Sequence, residues 1–382
     1  MRLLTRRSVL SSIAVAPAAL RAYAYGHKAV ASRLFLGTYT DRPDSSSKGI
    51  YSCSWDVSTG TLGEIQLSIA TPNPTFVVAS ANRLYAVNEV GGNQVGAVTT
   101  FASKTGQPVL QTVNTVSSAA NGPCHLALDH SGRALFVANY GGGTLSSYKV
   151  SGAGLSEPVT VIKFPGHGVD PDRQTAAHTH CVLVSPDNRF LVVNDLGLDR
   201  IMVYRIDSAT AALTPAAAPY WDAAPGSGPR HSIFHTRGRW VYSANELNST
   251  IDHLEWTKAT GGLTHKTTVS SLPPDARGQK NAPAELAMDA TGQFLYVSNR
   301  FHDSIGVFAI DQQTGELTPK QDISCGGKTP RHFTLDPTGR WVLVANQDSS
   351  NIVVFERNRT TGELTATGKS YSLGAPVCIV FA

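Results

Sequence analysis

Nothing in this chain limits its fold more than an internal repeat. Six apolar runs end in a small or apolar residue, an asparagine and a polar residue: Val87-Asn88-Glu89, Ala138-Asn139-Tyr140, Val193-Asn194-Asp195, Ala244-Asn245-Glu246, Ser298-Asn299-Arg300 and Ala345-Asn346-Gln347. By subtraction, the asparagines lie 51, 55, 51, 54 and 47 residues apart, and Gly37-Thr38-Tyr39, 50 residues before Asn88, supplies a seventh, degenerate copy. A fixed period decides the architecture before any single strand does, because each unit must bury its apolar face against the next.

Two further signals recur inside each period. Upstream stand Pro74-Thr75-Phe76, Pro123-Cys124-His125, His178-Thr179-His180, Pro229-Arg230-His231, Pro283-Ala284-Glu285, Pro330-Arg331-His332 and, at the chain end, Pro376-Val377-Cys378. Downstream come Thr-Gly-x-Leu turns at Thr59–Leu62, Thr260–Leu263, Thr314–Leu317 and Thr361–Leu364. Glycine in such turns supplies the positive φ that a tight hairpin requires. The pattern predicts four strands per period, and periods near 50 residues with four strands each are the signature of propeller blades. The expected fold is all-β, a seven-bladed β-propeller of four-stranded antiparallel blades. The first copy lacks its leading strand and Pro376–Phe381 is a leading strand without a blade, so the C-terminal strand is expected to complete the first blade.

Composition fits one large β domain: 34 Gly and 21 Pro are spread along 382 residues. The net charge of +4 comes without any basic block, which speaks against nucleic acid or a membrane surface as partner. Five cysteines lie far apart with no C-x-x-C spacing, which speaks against a zinc site or a redox dithiol, and no cofactor is expected. Ahead of the repeats, Thr5-Arg6-Arg7-Ser8-Val9-Leu10, an apolar run from Ile13 to Leu20 and Ala22-Tyr23-Ala24 read as a twin-arginine (Tat) export signal over residues 1–24. The mature domain, 25–382, is then expected to be periplasmic or secreted. Its partners would be the Tat machinery through the N-terminus and a small anionic molecule at the domain itself, with no membrane anchor once the signal is cleaved.

Residues at the ends of the inner strands of a propeller gather around one mouth. The third residues of the leading strands are expected to form one column: Phe76, His125, His180, His231, Glu285, His332 and Cys378. The residues after the asparagines form a second set: Tyr39, Glu89, Tyr140, Asp195, Glu246, Arg300 and Gln347. Arg230 and Arg331 precede two of the histidines. A water-filled opening lined by Arg, His and Glu suits an anionic ligand. A plainer reading leaves the asparagines as ties for inter-strand turns and makes Glu246 and Glu285 ion-pair partners of Arg230 and Arg300. No G-x-S-x-G, H-E-x-x-H or Walker-type loop is present.

Several of these segments, Ala138-Asn139-Tyr140-Gly141-Gly142-Gly143, His178-Thr179-His180, Gly228–His231 with Asn245-Glu246-Leu247, and Ser298-Asn299-Arg300 among them, resemble the seven-bladed lactonase family. That family includes the propeller type of 6-phosphogluconolactonase and a fungal carboxy-cis,cis-muconate cyclase, and the likeness runs from Leu34 to Phe381. The resemblance implies a metal-independent site of one His, two Arg and one Glu, which map to His180, Arg230, Arg300 and Glu246. In the expected reaction, hydrolysis of a sugar-acid lactone, Glu246 activates water and His180 donates a proton to the ring oxygen. Arg230 and Arg300 bind the carbonyl oxygen and the anionic group. His178, His231, Glu285, Arg331 and His332 are expected to recognise substrate or support these groups. The alternatives are an exported binding platform without turnover and a cation-dependent lactonase.

Overall fold

The computed structural model describes residues 32–103 and 107–382; the expected export signal over residues 1–24 lies outside them. Seven antiparallel sheets follow one another along the chain, numbered here as blades 1 to 7. Among the described residues the single helical element is a 3-10 turn, Pro274–Ala276. Blade 5 shows the rule, with Pro229–Phe234, Trp240–Asn245, Thr250–Thr257 and Gly262–Ser270 paired in chain order. In blades 1 and 3 the outermost strand is broken in two, Thr61–Leu62 with Gln66–Ala70 and Gly154–Leu155 with Thr160–Lys163. Pro376–Phe381 pairs antiparallel with Ser32–Thr38 and completes blade 1 from the other end of the chain. No helix among the described residues is long and apolar enough to cross a membrane.

A ring of sheets has no single core. Apolar clusters instead lie between successive blades, such as Tyr296 and Val307 of blade 6 with Phe333 and Val344 of blade 7, or Leu34 and Trp55 of blade 1 with Trp341 and Val354 of blade 7. The second strand of a blade is covered on both faces, so every residue of Trp240–Asn245 and of Trp341–Asn346 is buried. That is why these strands read as unbroken apolar runs and not as alternating ones.

The Thr-Gly-x-Leu signature now has a packing reason. Gly315 of blade 6 sits at φ 82°, and a Cβ there would stand 2.5 Å from the Trp240 ring of blade 5. Gly60, Gly261 and Gly362 meet Trp341, Phe190 and Phe294 of their preceding blades in the same way. At the turns from the first to the second strand, beside these glycines, Asp129, Asp289 and Asp336 each accept the backbone N–H groups four and five residues on, as Asp289 Oδ1 does from Gln293 and Phe294 at 2.8 and 2.7 Å.

The repeated asparagines are structural, as the plainer reading expects. The amides of Asn88, Asn139, Asn299 and Asn346 donate to the carbonyls of Pro72, Ser118, Ser271 and Cys325, where the chain leaves the outer strand for the next blade. Asn245 donates instead to Thr250 and Asp252 of its own blade, and Asn194 alone turns to the neighbouring blade, donating to Ser232 and Ser243. Its exception has a consequence at the mouth.

Candidate active site

Most inner strands carry a β-bulge near their start. In blade 5 Pro229 faces Asn245 and His231 faces Ala244, so Arg230 has no partner in the ladder and is freed from it. The bulges of blades 3 and 7 and of the C-terminal strand displace Cys124, Arg331 and Val377. In blade 4 Thr179 faces Asp195 and Cys181 faces Asn194, so the displaced residue is His180.

This register corrects the sequence reading by one residue in blade 4. Asp195, not Asn194, holds the place of Asn245. The residue four positions later has positive φ in both blades, Asp199 at 52° and Ser249 at 60°. Cys181, and not His180, therefore joins the column of His125, His231 and His332, and its Sγ lies 3.8 Å from His125 Nε2. His180 stands in the bulge tier with Arg230 and Arg331. Adjacent Asn194 and Asp195 are both small and polar, so the motif could be aligned on either residue, and only the ladder decides.

Three tiers line the mouth. In the bulge tier His180 and Arg230 are almost completely buried. Beside it, strand ends bring Glu246 and Arg300 together: Arg300 Nη2 lies 2.6 Å and Arg230 Nε 3.0 Å from Glu246 Oε2. One carboxylate oxygen thus serves two guanidinia. Arg230 Nη1 and Arg300 Nε donate to the carbonyls of Ala284 and Ala282, which fixes both guanidinia to blade 6. His180 Nδ1 is buried without a partner.

Below lies the imidazole column. His231 and His332 flank Glu285 at 3.2 and 3.6 Å, so Glu285 is held by imidazoles and not by Arg300. His231 packs 5.0 Å from His125 and 5.1 Å from His180, ring centre to ring centre. At the rim, His178 stacks on Tyr140 at 4.4 Å, while Arg331 lies over Tyr39, whose hydroxyl donates to Glu89. Of the nine side chains expected from sequence, Arg230, His231, Glu285, Arg331 and His332 line one small cavity, Glu246 and Arg300 join it through Arg230, and His180 and His178 through His231 and Tyr140.

Sequence reasoning missed Arg173. It lies in the connector between blades 3 and 4, outside the repeat, and its Nη2 donates to Glu246 Oε1 at 2.5 Å and to Tyr140 at 3.2 Å. The unusual length of that connector, residues 164–178, is the one sequence signal that could have singled it out.

Charge is unevenly shared. Burial by itself would raise the Glu246 carboxyl; Arg300, Arg230 and Arg173 overcome that and hold it well below the usual carboxylate range. Burial, then Arg300 and Arg331, push Arg230 down to about 9, still charged at neutral pH. His180 and His231 are held well below the ordinary histidine value, by burial first and then by Arg230, so both rings are neutral at pH 7.

A family model described as lactonase, seven-bladed β-propeller matches residues 33–381. The chain is 32% identical over 300 residues to the 6-phosphogluconolactonase of Bacillus subtilis, covering 78% of this chain and 83% of that one. It is 30% identical over 305 residues to the 6-phosphogluconolactonase of Formosa agariphila, covering 78% and 85%. The solved periplasmic gluconolactonase of Pseudomonas aeruginosa superimposes with a TM-score of 0.86 at 33% identity, over 92% of this chain and 99% of that one.

Proposed function

Because the chain belongs to the seven-bladed β-propeller lactonase family, we propose that it hydrolyses the ring ester of a sugar-acid lactone at the mouth, without a metal ion. One observation carries the reading. Three guanidinia converge on Glu246, more positive charge than this carboxylate neutralises, beside a buried imidazole with no partner at Nδ1. Buried charge in excess of its partners is costly unless a ligand balances it, and an oxyanion forming on a lactone carbonyl is such a ligand.

Ring opening needs a base for water, cations for the oxyanion and an acid for the leaving alkoxide. The charge balance supports exchanging the roles expected from sequence. A carboxylate held by three guanidinia has little affinity for a proton, so Glu246 serves better as the anchor that orients Arg230 and Arg300. His180, neutral and free to accept, takes the proton from water as the oxygen bonds to the carbonyl carbon. An anionic substrate entering the mouth raises the proton affinity of this ring. When the tetrahedral adduct collapses and the carbon–oxygen ring bond breaks, His180 returns the proton to the departing alkoxide. The product is the open hydroxy acid. His231, with Glu285 and His332 behind it, packs against His180, while His178 and Arg331 border the sugar.

The guanidinia supply the electrophilic role that a metal would take, and their charge repels a divalent cation. The expected export signal and the periplasmic relative support a place outside the cytoplasm; Arg6→Lys with Arg7→Lys should leave the precursor in the cytoplasmic fraction. The reading is tested with residues 25–382 on sugar lactones with and without chelator, after subtracting spontaneous hydrolysis. Wild-type turnover insensitive to chelator, lost in His180→Gln, is expected. Loss of turnover on chelation, or full activity in His180→Gln, would overturn it.

A further inference from the structure

Arg173 has donors left over that the lactonase reading, which needs only its charge beside Glu246, does not use. Glu246 already has two buried cations on Oε2, yet a third guanidinium approaches its other oxygen from the rim. Only Nη2 of Arg173 is engaged; Nε and Nη1 donate to no acceptor among the described residues, and the side chain is 43% exposed. One nitrogen of the guanidinium is therefore spent on Tyr140 and Glu246, while the donors of the other two are left over.

The segment that delivers Arg173 is firmly built. Between blades 4 and 5 residues 223–228 suffice as connector, whereas residues 164–178 join blades 3 and 4. Gln174, fully buried, accepts the N–H groups of Val169 and Asp170 with Oε1 and donates Nε2 to Leu196 O at 2.8 Å. Asp170 Oδ1 in turn accepts the N–H of Arg173 at 2.9 Å. A Cβ on Gly168 would stand 2.5 Å from the Gln174 amide, so the strap closes tightly on that side chain. A connector needs none of this to link two blades, and a loop held so firmly on a rigid scaffold is the usual way of presenting a binding group.

We infer that Arg173 is a specificity-determining residue that binds a second anionic group, carboxylate or phosphate, at the end of the substrate remote from the lactone carbonyl. The inference rests on the lactonase reading and narrows it to lactones of sugar acids that carry a further negative charge. Arg230 and Arg300, on the far side of Glu246, serve the reacting carbonyl; Arg173, one carboxylate width away, meets the distal group through the donors left on Nε and Nη1. Gln174 acts through Arg173 and is a positioning residue.

The test compares a neutral aldonolactone, the same lactone bearing a 6-phosphate, and the lactone of a sugar diacid, with thermal unfolding confirming that each variant is folded. Arg173→Gln should lower kcat/KM on the charged substrates about tenfold to a hundredfold, mainly through KM, and on the neutral one far less. The preference for charged lactones then collapses. Arg173→Lys should restore part of it, as a point charge without the fork, and Gln174→Leu should reproduce the loss in milder form. Collapse on the phosphate or on the diacid alone identifies which anion is read. An unchanged preference in Arg173→Gln, or an equal loss on all three substrates, would overturn the inference. If the wild type hydrolyses no lactone, the activity reading fails separately. Calorimetric binding of 6-phosphogluconate against gluconate then reads the same preference, and equal affinities in wild type and Arg173→Gln overturn it.

Discussion

Two carboxylates in this ring are buried against arginine, and they have different uses. Between blades 6 and 7, Asp289 meets Arg357 at 3.3 Å, and both side chains are about 4% exposed. One anion faces one cation there. Asp289 also accepts the N–H groups of Gln293 and Phe294, while Arg357 donates to Tyr296 and Gly339 and lies over the Phe294 ring. At the mouth, Glu246 faces Arg173, Arg230 and Arg300, so the count is three to one. The first cluster neutralises itself and joins blades. The second leaves positive charge over, and surplus of that kind marks a place meant for a ligand. A buried ion pair alone is weak evidence of either role.

The largest expected effect lies on the structural side. Asp289→Ala strands a buried guanidinium and should cost about 3–5 kcal/mol in denaturant unfolding, with kcat/KM of the folded fraction unchanged. Next comes Arg300→Ala, which should raise the barrier by about 3 kcal/mol, a hundredfold or more in kcat/KM, while lowering stability less than Asp289→Ala does. Equal damage to stability from both variants would erase the distinction between the clusters.

A smaller effect sharpens it through pH. Buried His125, His180, His231 and His332 all have folded pKa values below 6.5, so the unfolded chain binds protons that the native rings refuse. Stability must then fall as pH drops below 6.5, each such ring contributing up to about 1.4 kcal/mol per pH unit. Glu246, lowered in the folded state, acts in the same direction at more acid pH: its contribution is present above the unfolded value of 4.5 and is lost as pH falls through the folded one. His231→Gln should make the stability curve less steep below pH 6.5 by about one ring's share; an unchanged slope would mean that this ring protonates in the native state. The smallest effect belongs to an exposed control, Arg340 with Glu356 at 2.9 Å, where Arg340→Ala should cost no more than about 1 kcal/mol.

The ring was legible in the chain because its units repeat. Asparagine ties, Thr-Gly-x-Leu turns and the orphan strand at Pro376 are local devices whose spacing survives in one dimension. Arg230, Glu246 and Arg300 could be chosen for the same reason, since each occupies a named slot of the unit. His180 was placed in the wrong tier, because a bulge adds one residue to a strand and leaves no mark in its composition. Arg173 was invisible, since a connector outside the repeat has no slot from which to read it.

Period and chemistry therefore specify how many blades form, how the ring closes and which residue types reach its mouth, because burial of a repeating apolar face depends on spacing alone. Register, the company each charge keeps and the number of cations left over are set only when the sheets pack. Those quantities depend on distances of a few ångströms between residues far apart in the chain, such as Arg173 and Glu246, and no local pattern encodes them.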